Sequence, residues 1–449
     1  MDISHLIEQE IRLINRLLQA NNVRARAALQ RTAVIEVGYI RYGLRLALDE
    51  KFARIETLHR ELSAQLTNHR RKAGLGGRVL VIPTEEPVMG LEVPHPHPKP
   101  LLWSPRKVTS APPHSMLIGR SYLTGPRDER ISFDETPHAL IAGITKAGKS
   151  VLLQTMLLSL CAGTSPAELR LVLVDLKNED LVPFEKLPHV LTFAGQRAAA
   201  VDAIRYVVAE KDKRIERRGY KPYRLVLVID EMAQLAGDGE ARDMLGDLAS
   251  IGRSKQIHLL GATQHPTEKG GLGTLLKANF PIRLVGMVAP GQSHIATGRP
   301  QTHADLLPGK GAFLRCEGPA VYRFQSYFIE PSDVAGMAKY IEREVWGSTS
   351  EPLEPVLRNV SPPLVTEPHR TASEPVLEPF TEPLAAKRPL TATEAAAVWE
   401  LYQNGLSKSA LCRRVYGSKN GTYAAWIDEA LNSPVAGDDG KVIKLRRAS

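Results

Sequence analysis

Gly143-Ile144-Thr145-Lys146-Ala147-Gly148-Lys149-Ser150 has the spacing G-x-x-x-x-G-K-[ST]. Glycines at both ends permit a tight loop whose amide N–H groups turn inward toward a phosphate. Lys149 would reach the β- and γ-phosphates, and the Ser150 hydroxyl would hold Mg²⁺. The cradle runs from Gly143 to Val151, at the start of the helix expected to follow. Its N-terminus favours anions. The apolar runs HALIAG before the loop and VLLQTMLLSL after it supply the strand and helix that this chemistry needs.

A phosphate loop of this kind needs an acid at the tip of another strand. LVLVDLKNED offers Asp175 and RLVLVIDEM offers Asp230-Glu231. The second pair is the better fit: Asp230 for the Mg²⁺ shell, Glu231 to polarise the attacking water as general base. IHLLGATQHP ends a further apolar run in Thr263-Gln264, where a polar side chain can meet the γ-phosphate or the water.

The elements that must carry these residues are legible as alternating patterns. HALIAG, LRLVLVDL, YRLVLVID, IHLLGAT, IRLVGMV and GAFLRC are near-continuous apolar runs of strand length, as buried parallel strands should be. Helical spacing fills the gaps, giving an α/β sheet with helices on both faces over residues 106–346. The acid Asp175 falls between loop strand and Asp230 strand in sequence. That is the order of RecA-like P-loop NTPases of the ASCE type, which carry a catalytic glutamate.

Upstream, residues 1–31 have apolar positions at helical spacing and read as an amphipathic packing or oligomerisation helix, with Arg24, Arg26 and Arg31 as a solvated or nucleic-acid-touching face. Residues 32–48 read as a strand, 50–66 as a helix, and RVLVIP and VMGLEVP as two short strands. Residues 32–105 thus form a small α+β domain. Downstream, residues 347–388 repeat Glu-Pro without hydrophobic periodicity and read as an extended linker. Residues 389–433 carry three short helical patterns of helix-turn-helix type. Ser418, Lys419, Asn420 and Thr422 sit near the start of the third, suited to bases or phosphates, and Arg413 and Arg414 suit backbone contacts. A small helical protein-docking module is the other reading of this piece. Residues 434–449 form a basic tail.

The chain has 449 residues, 43% of them hydrophobic, and a formal net charge of +9. That suits several folded units and a polyanionic partner. Cys161, Cys316 and Cys412 are isolated and odd in number, which suggests neither a disulfide framework nor a zinc site. The first residues carry charges throughout, unlike a signal peptide, and no run is long and apolar enough to span a bilayer. A cytoplasmic protein is expected.

Taken together, PHALIAGITKAGKSVLLQTMLLSL, VLVDLKNEDL, LPHVLT, LVLVIDEMAQL, IGRSKQIHLLGATQHP, LLKANFPIRL and LPGKGAFL resemble, in order and approximate spacing, the FtsK/SpoIIIE-type double-stranded DNA translocases. ARIETLHRELSAQL followed by VLVIPTEEPVMGLEVPHP is similar to the smaller domain preceding the motor in that family. The resemblance covers about residues 32–330. It implies an ATP- and Mg²⁺-dependent motor acting as a homo-oligomeric ring, a hexamer, on double-stranded DNA. It also implies that Gln264 senses the γ-phosphate, and that Arg283, or else Arg253, reaches a neighbouring subunit's ATP. His265 stands where the family usually has arginine, and Lys146-Ala147 where small residues are common. Without a membrane anchor, a soluble relative from a plasmid, phage or integrated element is expected, with an element-encoded partner protein. Two other readings compete. One is a HerA-like or coupling ATPase working with a nuclease or relaxase. The other is an ATP-gated DNA-binding regulator that does not translocate.

Overall fold

The computed structural model describes residues 2–84, 89–104, 112–122, 125–217, 219–220, 222–235, 237–264 and 280–346, with 435–436 and 442–443 beyond them. The chain divides into two compact units, Met1–Pro362 and Pro363–Ser449. In the second, Val435–Ala436 pairs antiparallel with Val442–Ile443, a short ribbon inside the stretch expected as a basic tail. The expected linker and the helix-turn-helix residues Arg413, Arg414, Ser418, Lys419, Asn420 and Thr422 lie outside the described residues, as does His265.

The first unit opens with helix α1 (Ile3–Ala20), capped by the Asp2 carboxylate accepting from the Ser4 N–H. It ends at Asn21, and Asn22 takes φ 54°. The helix is therefore shorter than the expected 1–31. Residues Ala25–Ile35 form strand β1 instead, antiparallel to β2 (Tyr39–Leu46), with a turn at Glu36–Gly38 inside what the sequence presents as one strand. Arg24 is accordingly not on a helix face; it pairs with Asp49. Helices α2 (Phe52–Thr57) and α3 (His59–Lys72) follow, then β3 (Ile82–Thr84) and β4 (Gly90–Pro94). Val79 and Val81 do not join β3, because their N–H groups donate to Thr67 and Ser63 on α3.

The strand order of this small sheet is β1-β2-β4-β3. Ile7, Ile14 and Leu18 of α1 and Leu62 and Leu66 of α3 pack on Ile40, Tyr42, Leu91 and Val93 of the sheet. Inside that core Glu10 is fully buried. It accepts from Arg70 Nε at 2.6 Å and Nη2 at 3.1 Å, and from the Tyr42 hydroxyl. A buried carboxylate without such partners would be strongly unfavourable.

The second sheet has ten strands: β5 (Ser115–Ser121), β6 (Arg127–Ser132), β7 (His138–Ala142), β8 (Leu169–Val174), β9 (Val190–Ala194), β10 (Arg224–Ile229), β11 (Ile257–Thr263), β12 (Ile282–Val285), β13 (Ala312–Glu317) and β14 (Ala320–Ser326). Their order is β6-β5-β14-β13-β12-β7-β11-β10-β8-β9. Strands from β12 to β9 are mutually parallel, and β13, β14, β5 and β6 extend the sheet antiparallel. Helix α4 (Lys149–Gly163) covers one face through Leu152, Leu153, Met156 and Leu160. Helices α5 (Arg197–Glu216) and α6 (Gly239–Ile251) cover the other through Ile204, Val207, Leu245 and Leu248. In space β11 separates the phosphate-loop strand β7 from the acid strand β10. This is the ASCE form of the RecA-like P-loop core, and the six apolar runs become β7, β8, β10, β11, β12 and β13.

Candidate functional site

Parallel strands share one carboxyl-terminal edge, so β7, β11, β10 and β8 deliver their following residues to one place. From β7 comes the loop 143–148. Ile144 N–H donates to the Met287 carbonyl at 2.8 Å and Gly143 N–H to the Thr263 carbonyl at 3.2 Å, tying the loop to both neighbouring strands. Gly148 has φ 102°, and a Cβ there would meet the Gly311 amide nitrogen at 2.9 Å. Position 148 therefore demands glycine twice over, for its backbone and for its neighbour. The turn 309–311 grips the loop from outside: Gly311 N–H donates to the Ala147 carbonyl at 2.9 Å and Lys310 N–H to the Lys146 carbonyl at 3.2 Å. Ala147 is fully buried, and a Cβ on Gly143 or Gly286 would press on its methyl at 3.0 Å. The Ala147 methyl fills the space those two glycines leave. Lys146 takes φ 69° and points its side chain to solvent. Thr145 lies at the exposed tip and its hydroxyl donates to Gln264 Oε1 at 3.2 Å.

Helix α4 begins at Lys149, so its unpaired first-turn amides face the loop interior. Lys149 is 8% exposed. Burial holds its ammonium below the ordinary lysine range, and the charges of Glu231, Asp230 and Asp180 oppose that shift. At the tip of β10, burial pushes the Asp230 carboxyl up to about 6. Asp180, Asp175 and Glu231 add to the rise, and Lys177, 3.6 Å away, counters it. Glu231 is locked in place: Thr263 Oγ1 donates to it at 3.0 Å and the Gln264 amide at 3.1 Å. The tip of β11 thus orients the acid that the tip of β10 supplies, which fits a base that must hold one water in line.

Asp175 has a different task. Its buried carboxylate accepts from the N–H groups of Lys177, Glu179 and Leu181 at 2.9–3.1 Å. It shapes the loop 176–181, and that loop brings Asp180 to Ser150, whose hydroxyl donates to it. Gln154 on the next turn of α4 donates to the Asp180 carbonyl at 2.9 Å. Asp180 and Lys177 are thus neighbours of the site that the sequence reading did not assign, while Thr263, named there only together with Gln264, proves to hold Glu231. The signal was the third acid in VDLKNED.

Among the described residues no three His, Cys, Asp or Glu side chains converge closely enough to hold a metal by themselves. The oxygen set of Ser150, Asp180 and Asp230 fits Mg²⁺ nonetheless, because that ion takes one or two carboxylates and completes its shell with phosphates and water. The carboxylates outnumber the lysines here, and a divalent cation balances them.

The two arginines considered for a neighbouring subunit differ. Arg283 lies in β12 level with Leu140 and is 8% exposed. Its guanidinium packs on Gly298, where a Cβ would meet Nη1 at 2.6 Å. Arg253 is exposed, at the opposite sheet edge from the phosphate loop, just before β11.

Residues 106–218 match the model of the FtsK/SpoIIIE family. The chain is 30% identical over 262 residues to the DNA translocase SftA of Bacillus subtilis (strain 168), covering 53% of this chain and 27% of that protein. It is 33% identical over 264 residues to the DNA translocase FtsK of Borreliella burgdorferi, covering 50% of this chain and 33% of that one. The matched region is thus a third or less of either relative's length. A solved structure of the pCW3 conjugation coupling protein TcpA, in monomer form with ATPγS, overlays with a TM-score of 0.47 at 20% identity, covering 73% of this chain and 98% of that one. No helix among the described residues is long and apolar enough to cross a membrane.

Proposed function

Since residues 106–218 match the FtsK/SpoIIIE family and the relatives are DNA translocases, we propose that the chain is an ATP-hydrolysing motor that moves double-stranded DNA, working as a ring of identical subunits. The observation that carries the reading is the single strand edge that gathers Lys149, Ser150, Asp230, Glu231 and Gln264. The relatives' printed function, DNA translocation, supplies the substrate.

In this reading the amides of Gly143–Val151 cradle the phosphates and Lys149 bridges the β- and γ-oxygens. Ser150 and Asp230 would hold Mg²⁺, which would supply positive charge to the phosphates when bound. Glu231, fixed by Thr263 and Gln264 N–H, orients and polarises the water, and Gln264 reports the γ-phosphate to the loop through Thr145. An arginine from a neighbouring subunit completes the charge set. This reading gives that role to the exposed Arg253 rather than to Arg283, whose guanidinium lies beside Gly298. A finger supplied in trans makes hydrolysis depend on correct docking of subunits.

The test is steady-state ATP hydrolysis with no DNA, single-stranded DNA and duplex DNA, with Lys149→Ala as blank. Strong stimulation by duplex, absent from the variant, is expected. Stimulation by single strands alone means a helicase, and indifference to both removes the motor reading.

A further inference from the structure

The small sheet's helix α3 borders a groove that the nucleotide site does not use. Its volume is about 860 Å³, and Pro290, Asp305 and Leu306 form the far wall. Arg60, Ala64, Thr67, Asn68 and Arg71 line the near wall. They follow helical spacing, so Arg60 and Arg71 lie within about 20° on one face and about 16 Å apart along the axis. Arg78, after the Gly76-Gly77 turn, joins them.

All three arginines are exposed, and among the described residues none has an ion pair or side-chain hydrogen bond. The nearby acids are already engaged. Glu61, the one acid in α3, accepts from Asn21, and Asp305 accepts from the Ser293 hydroxyl at 2.6 Å. The helix dipole accounts for a cation at Arg71, in the last turn, but disfavours one at Arg60, in the first. It says nothing of Arg78. A row of unpaired guanidiniums with small and polar residues between them suits a chain of phosphates, which arginine meets with paired N–H donors. No Phe, Tyr or Trp lines the groove among the described residues, so no platform exists for an unstacked base.

We propose that Arg60, Arg71 and Arg78 form a phosphate track for duplex DNA, separate from the nucleotide site. It rests on the DNA-motor reading above and adds a second place where the duplex is held. Binding there is sequence-neutral and salt-sensitive.

The full chain is titrated against a fluorescein-labelled duplex of arbitrary sequence by anisotropy, over a salt series, beside Arg60→Ala/Arg71→Ala/Arg78→Ala. The variant is expected to bind more weakly. Its slope of log K against log salt should be flatter by about 0.9 for each phosphate it no longer neutralises. ATP hydrolysis without DNA stays at the wild-type rate, since none of the three touches the phosphate loop. The three-lysine variant restores most of the slope. Should the triple variant not fold, Arg60→Ala/Arg78→Ala, which leaves the last turn of α3 intact, carries the same expectation with a smaller change. Wild-type affinity and slope in a folded variant overturn the track and leave the motor reading standing. Weaker binding together with failed ring assembly overturns it in favour of a subunit interface. A wild-type chain that binds no duplex removes both.

Discussion

At the scale of residues, the nucleotide site divides into groups with a fixed offset from a pattern and groups placed by a loop. Lys149 and Ser150 follow from the glycine spacing, and Asp230, Glu231 and Gln264 from the ends of apolar runs. Asp180 and Lys177 could not be read the same way, because the path of 176–181 is set by three amides converging on Asp175. Two predictions separate these roles. Glu231→Gln should lower kcat for ATP by about a hundredfold or more while leaving ATP binding intact, since it removes only the base. Equilibrium binding of a fluorescent nucleotide beside turnover checks the split, and lost binding would mean that Glu231 props the loop instead. Asp180→Asn should weaken Mg²⁺-dependent nucleotide binding by roughly ten- to a hundredfold, as loss of a group orienting a metal ligand does. Nucleotide affinity in the presence of chelator should not change. If both affinities fall together, the Asp180 carboxylate serves the path of the loop 176–181 rather than the Ser150 hydroxyl.

At the scale of elements, the central parallel strands were legible because burial on both faces leaves mostly apolar residues in them. The strands at the margins were not. RDERIS in β6 and VLTFA in β9 lie at the two edges of the sheet and are not among the six apolar runs. ARAALQR in β1 is made of good helix formers, yet pairing with β2 overrides that preference. The opposite ends of β7 and β11 hold two histidines of definite tautomer. His138 accepts the Leu259 N–H on Nδ1 at 2.9 Å and donates from Nε2 to the Ala249 carbonyl at 3.1 Å. His258 donates from Nδ1 to the Pro137 carbonyl at 2.7 Å and accepts from Arg224 on Nε2 at 3.2 Å. A second proton on either ring removes an acceptor. Burial lowers His138 to about 4 and His258 to about 3, against 6.5 when free. Between those values the unfolded chain binds more protons than the folded one, so stability is complete above about pH 6.5 and falls as pH drops toward 4. Each ring contributes on the order of 3 kcal/mol to that loss. Denaturant unfolding at neutral pH and near pH 5 measures it, and His138→Asn/His258→Asn should flatten the dependence. An unchanged pH slope in the double variant would assign the acid sensitivity to other groups.

At the scale of the whole described molecule, the phosphate site depends on a sheet that the small sheet touches through buried charge. Glu92 on β4, 2% exposed, accepts from Arg41 of β2 at 2.9 Å and from Arg323 of β14 at 2.7 Å. Arg41 also donates to the Tyr39 hydroxyl and the Tyr122 carbonyl, and Arg323 lies 4.0 Å over the Tyr39 ring. One carboxylate therefore neutralises a guanidinium from each sheet, where water cannot replace it. None of this was legible in sequence, since nothing in the short strand patterns that hold Arg41 and Glu92 points to Arg323, more than two hundred residues from Glu92. The apolar alternative would hold two bodies together equally well, and it would tolerate sliding. A charge shared between two fixed guanidiniums permits one register. Glu92→Ala strands both cations in a buried place and should cost about 3–5 kcal/mol. The cost falls on the junction, so the two sheets should then melt apart. Calorimetry of the variant should show two transitions where the parent shows one, with the nucleotide-stabilised transition belonging to the ten-stranded sheet alone. A single transition lowered by less than about 1 kcal/mol would mean that the apolar packing, not this carboxylate, makes the sheets one cooperative body.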